Sequence, residues 1–186
     1  MPINPHKNVD RIKEQVLRWV RSFIVELNIC PFANHVLKEK RLGIKVSFAE
    51  SIETALEAVM SSIYHLDEDK NEETTLLIFP HLFADFFEYL NFVEIAENLL
   101  SIESYDGIYQ LATFHPDYNF SGVTSDDVSN YTNRSPYPMI HFLRESSLDK
   151  AIEFYGNTET IPEKNIHLMH QLGLDKIKQL IQLRDE

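Results

Sequence analysis

The chain is short of cysteine and glycine. Cys30 is the one thiol among 186 residues, which excludes an internal disulfide framework and any cysteine-based zinc or iron–sulfur centre built within one chain. The five glycines, Gly43, Gly107, Gly122, Gly156 and Gly173, are scattered. Neither a G-x-G-x-x-G turn nor a P-loop is therefore available to cradle a phosphate. No run of residues approaches the ~18 continuous apolar positions of a membrane span. The opening stretch MPINPHKNVD lacks the apolar centre of a secretory signal. Those two features and the lone thiol set the expectation of a cytoplasmic protein in a reducing compartment, without a membrane partner. Repeats and low-complexity tracts are also lacking, and 186 residues is the length of a single domain spanning 1–186.

Positive charge is scarce in one region. The chain carries 29 Asp and Glu against 17 Lys and Arg, a net charge of −12. Residues 1–49 are net +5, residues 50–106 hold fourteen acids and one lysine, and residues 107–186 are net −4. A surface of that sign repels phosphate backbones, so no nucleic-acid partner is expected. Acids on exposed helix faces also serve solubility.

The apolar pattern defines alternating elements. Val9, Ile12, Val16, Val20, Phe23 and Leu27 recur every three or four residues and predict a helix over 9–27. Pro31 fits the first turn of a short second helix, with Cys30 at its start. Ile44–Phe48 alternates as a strand, and Ser51 caps a helix carrying Leu56, Val59 and Ile63. His65–Glu73 reads as a solvated loop. Thr74–Phe79 is apolar and β-rich, as in a strand covered on both faces. Leu82–Leu100 reads as an aromatic helix that belongs to the core, although it can equally carry a homo-oligomer contact. Gly107–Phe114 and Met139–Leu143 are the third and fourth strands. Between those two strands, residues 115–137 lack periodicity, and a loop of that length is usually functional or disordered. Ser146 with Asp149 caps a helix closed by Gly156, and two final helices meet near Gly173. Strands alternating with helices imply an α/β fold with a central, mostly parallel sheet of about four strands and helices on its faces. A ferredoxin-like α+β sheet is the alternative.

In open parallel sheets ligands bind beyond the carboxyl ends of the strands. That rule selects His81 after the second strand, and His115 with Asp117 after the third. Each histidine adjoins a proline that fixes the local backbone. Imidazole titrates near neutral pH, so His115 is a candidate acid–base group and Asp117 a candidate to orient it. Strand-end histidines that merely cap loops are the structural alternative. His81, His115 and Asp117, with Glu50 after the first strand, are also a candidate divalent-metal set, although the spacing implies no particular cofactor. Arg134 is the sole Lys or Arg between Lys70 and Arg144. Its planar fork suits a carboxylate or phosphate, with Thr132, Asn133 and Ser135 as hydrogen-bonding neighbours; otherwise it pins the loop by pairing with Asp117, Asp126 or Asp127. Cys30 at a helix start predicts a lowered thiol pKa and is a candidate nucleophile, against the alternative of a small buried hydrophobe. His141, inside a strand, is expected to pack.

Taken together, LNICPFA, TTLLIFPH, FHPDYNF and NYTNRSPYPMIHFLRE resemble a bacterial family known as domain of unknown function 1415. The resemblance covers nearly the whole chain. It implies that Cys30, His81, His115, Asp117, Asn133 and Arg134 lie in the family's signature segments, and it carries no reaction. Three functional expectations follow. The first is a hydrolase or transferase acting on a small anionic molecule by His/Asp chemistry. The second is a divalent-metal enzyme, and the third is a non-enzymatic module binding protein through its acidic helices.

Overall fold

A computed structural model describes residues 5–156 and 158–182. The first helix, α1 (Pro5–Trp19), runs directly into a π-helix (Val20–Val25), and α2 (Ala33–Lys38) follows. Then come β1 (Leu42–Val46), α3 (Ile52–Glu68), β2 (Thr74–Ile78), α4 (Phe86–Ile102) and β3 (Tyr109–Phe114). A 3-10 turn (Val128–Thr132) leads to β4 (Met139–Arg144), α5 (Glu145–Tyr155) and α6 (Ile161–Gln182).

The four strands form one sheet in the order β1-β2-β4-β3. Only β1 and β2 pair in parallel; β4 lies antiparallel to both of its neighbours. The sheet is therefore mixed and mostly antiparallel, which corrects the expectation of a mostly parallel one. The antiparallel, ferredoxin-like alternative also falls, because β1 and β2 are direct neighbours hydrogen-bonded in parallel. The cause lies in the 115–138 connection. Parallel pairing needs a crossover, usually a helix, and this connection contains only the five-residue 3-10 turn. The chain returns instead as a long, closed hairpin, and β4 inserts between β2 and β3.

Reversing β4 leaves the other three strands co-directional. Ile78 at the end of β2 and Phe114 at the end of β3 both pair with Met139, the first residue of β4. Their carboxyl ends thus share one edge, and the segments carrying His81 and His115 leave from it.

Side chains alternate across the sheet. Leu77, Phe79, Tyr109, Ile140 and Phe142 pack with α3 and α4 in one apolar cluster. Leu76, Ile78 and Met139 pack with α1, the π-helix and α6 in a second. Both faces of β2 are covered, and all five of its residues are buried. The result is three layers, with helices on both faces of the sheet.

Local chemistry explains most element ends. Ser51 and Thr54 form a reciprocal capping box at the start of α3. α3 runs on to Glu68, so His65 lies in the helix and not in a loop. Asp85 accepts the Phe87 and Glu88 N–H groups at 2.8 and 3.0 Å, so α4 starts at Phe86, not at Leu82. The expected Ser146 cap is replaced by a direct passage from Arg144 into α5, with no side-chain cap. Gly156 closes α5 at φ 76° and Gly173 breaks α6 at φ 70°.

Candidate functional site

The shared edge is organised around His115, which is 1% exposed. Its Nδ1 accepts the Asp117 backbone N–H at 3.0 Å. The ring proton therefore sits on Nε2, which donates to the Phe83 carbonyl at 2.8 Å. The ring packs against those of Phe86 and Tyr89, with centroids at 5.3 and 5.2 Å. Both nitrogens are thus committed to main chain. Asp117 contacts the ring through its backbone N–H, while its side chain belongs to an exposed residue.

The loop beyond His115 is closed by its own polar groups. The His115 N–H donates to the Asn133 carbonyl at 3.2 Å, and the Ser135 N–H donates to the His115 carbonyl at 3.4 Å. These bonds extend the β3–β4 hairpin past an irregular step at 136–138. At that step the Tyr89 hydroxyl donates to the Met139 carbonyl at 2.7 Å and accepts the Phe114 N–H at 3.2 Å, so a side chain from α4 replaces a ladder bond. Asn133 Nδ2 donates to the Thr113 carbonyl at 3.0 Å. Thr132 donates to the Ser129 carbonyl and Ser135 to the Tyr137 carbonyl.

Arg134 directs its fork inward. Nε donates to the Tyr118 carbonyl at 3.1 Å and Nη2 to the Ser125 carbonyl at 2.7 Å. The guanidinium lies 4.8 Å over the Tyr131 ring. Among the described residues no carboxylate pairs with it. The loop is pinned by Arg134, but through carbonyls rather than through Asp117, Asp126 or Asp127. The central organiser is Asn130, which the sequence reading did not single out. It is fully buried, accepts the Phe120 N–H at 2.9 Å, and donates to the Thr124 carbonyl and to Asn119 at 2.9 and 3.1 Å. Nothing in its sequence context separates it from Asn119 or Asn133.

The remaining candidates lie apart from this network. His81 is exposed, its ring 5.2 Å from that of Phe48, and Glu50 is exposed as well. Among the described residues, no group of three His, Cys, Asp or Glu side chains is placed to hold a metal. Cys30 is half-buried beside the second apolar cluster. Burial pushes its thiol pKa up, and the backbone N–H groups of Phe32 and Ala33 offset this only in part. The expected lowering is reversed because α2 has only six residues, too few to outweigh desolvation. His141 does pack: Nε2 lies 2.6 Å from the Thr74 hydroxyl, and burial pushes its pKa down to about 4.

The fold is thus a three-layer α/β/α domain on a mixed sheet, with a closed polar hairpin at the edge where three strands end. The chain matches the family model described as protein of unknown function (DUF1415) over residues 11–179, and it belongs to that family. No curated protein and no solved structure matches it.

Proposed function

We propose that the protein is a binding module that docks a basic, amphipathic protein segment on the outer side of the α3–α4 layer. The observation that carries this reading is a shallow depression of about 490 Å³ on α3, lined by Glu57, Met60, Ser61, Tyr64, His65 and Glu68. Tyr64 is 50% exposed there. An apolar floor between carboxylates suits a partner that alternates apolar and cationic side chains, and thioethers adapt well to such partners. Helix α4 continues the same chemistry. Phe87, Leu90, Ile95 and Ile102 are exposed along it, interleaved with Glu88, Glu94 and Glu97. Residues 50–106, which contain both helices, carry fourteen acids and one lysine. Catalysis at the sheet edge has no comparable support, because His115 and Arg134 are both occupied by main chain.

The test is titration of a fluorescent leucine–lysine helical peptide, with a leucine–glutamine peptide of equal length as control. The lysine peptide should bind the wild type, and Tyr64→Ser with Met60→Ser should weaken it about tenfold. Glu94→Lys with Glu97→Lys should do the same, while Arg134→Ala has no effect. Equal binding of both peptides, or loss on Arg134→Ala alone, contradicts the reading.

A second reading retains a small anionic ligand, as substrate or effector, at Arg134. It is favoured by the absence of a carboxylate partner for that guanidinium among the described residues. It predicts that inorganic phosphate raises the melting temperature of the wild type but not of Arg134→Ala.

A further inference from the structure

Among the described residues, four other than glycine have a left-handed backbone: Asn28, Lys40, Phe83 and Ser104, at φ 54°, 57°, 64° and 64°. Three of them end helices, where that conformation is the usual stop. Beyond each of these, the N–H of Ile29, Arg41 or Tyr105 folds back onto the carbonyl of Ile24, Val36 or Leu100. Phe83 ends no helix. A bulky aromatic in this region of φ is strained, and such strain persists only where the surroundings impose it.

Two sets of contacts impose it here. The Phe83 ring is stacked on Phe92 at 4.3 Å and meets Phe79 edge-on at 5.4 Å. Its carbonyl accepts the Nε2–H of His115. Through its other nitrogen and its backbone, His115 also holds the turn at 115–118 and the strand-like segment 133–135. One neutral imidazole thus joins the strained 80–85 turn to the closed hairpin.

We propose that His115 is a proton-operated latch, which holds the 80–85 turn and the hairpin together when neutral and releases them when protonated. Protonation at Nδ1 removes the lone pair that accepts the Asp117 N–H, so that two donors face each other. It also places a charge in a buried ring. Among the described residues, no side-chain acceptor is bonded to either ring nitrogen. From α4 come Phe86 and Tyr89, and the Tyr89 hydroxyl is already engaged with Met139 and Phe114. The Asp85 carboxylate caps α4. Tyr118 packs its ring on Phe86, Arg134 binds carbonyls of Tyr118 and Ser125, and Asn133 and Ser135 present main chain. Cation–π contact with Phe86 and Tyr89 offsets part of the charge burial but accepts no hydrogen bond from the new N–H. Proton binding is an equilibrium and breaks no covalent bond, so release is reversible.

Hydrogen exchange read by mass spectrometry at pH 7.5 and 5.0, corrected for intrinsic rates, tests the latch. In the wild type, peptides covering 80–86 and 115–121 should exchange about tenfold faster at pH 5.0 while β2 and β4 stay protected. His115→Gln, which donates and accepts without titrating, should show no such change. Should that variant fail to fold, nitrogen NMR of the wild-type ring decides. The Nε2–H tautomer should convert to imidazolium with the same midpoint as the exchange. Unchanged exchange at 80–86, exchange that rises in step with β4, a Gln variant that responds like the wild type, or a ring still neutral when exchange has risen would each overturn the proposal.

Discussion

The Tyr89 hydroxyl donates to the Met139 carbonyl at 2.7 Å and accepts the Phe114 N–H at 3.2 Å. It thereby stands in for a backbone bond between β3 and β4. The phenol is fully buried, and burial pushes its pKa upward, which favours the protonated, donating form. Removing that oxygen leaves a carbonyl and an N–H unpaired in the interior. Tyr89→Phe should therefore lower the unfolding free energy by about 1–3 kcal/mol. Urea denaturation measures it, and a loss below about 0.5 kcal/mol would mean that water takes over the bridge.

Asn130 should matter more to the hairpin than any charged residue in it. Its side chain makes three bonds, to Phe120, Thr124 and Asn119. Asn130→Ala should cost about 1–3 kcal/mol and open residues 118–130 to limited proteolysis. Asp126→Ala, at a residue with an exposed side chain, should leave both readouts unchanged.

These two residues mark the boundary of what the sequence discloses. The capping of α3 at Ser51, the double coverage of β2, the breaks at Gly156 and Gly173 and the three-layer character all follow from periodicity and local chemistry. The direction of β4 does not, because a 24-residue connection has room either for a crossover helix or for a hairpin. The missing helical period over 115–137 pointed to the hairpin and was outweighed by the alternation of the other elements. The shared edge was legible because β1, β2 and β3 do run the same way. The partners of its residues were not. They include carbonyls, those of Phe83, Tyr118 and Ser125, whose positions no side-chain pattern encodes.

Stability should fall in acid because of His141. Its folded pKa is pushed down to about 4, while the unfolded value is near 6.5. Above pH 6.5 both states are neutral and the contribution is fully present. As pH falls from 6.5 towards 4, the unfolded chain binds the proton first and the contribution is lost. The loss is on the order of 2 kcal/mol once partial exposure of the residue is allowed for. Urea midpoints at pH 7.5 and 4.5 should differ less for His141→Gln than for the wild type. Parallel slopes would assign the acid sensitivity to other groups.

Cys30 should be a sluggish thiol. With its pKa raised by burial, alkylation of the native protein should have a midpoint above the ordinary thiol value of about 8.5. Unfolding in urea should restore that value. A native midpoint below 7 would instead indicate an activated nucleophile and reopen a catalytic reading.

The docking face is tested most directly by mapping the leucine–lysine peptide onto isotopically labelled protein through amide chemical shifts. Shifts should concentrate at Glu57–Glu68 and Phe87–Ile102, with the loop at 115–135 silent. Shifts confined to 115–135, or spread evenly over every acidic residue, would contradict it.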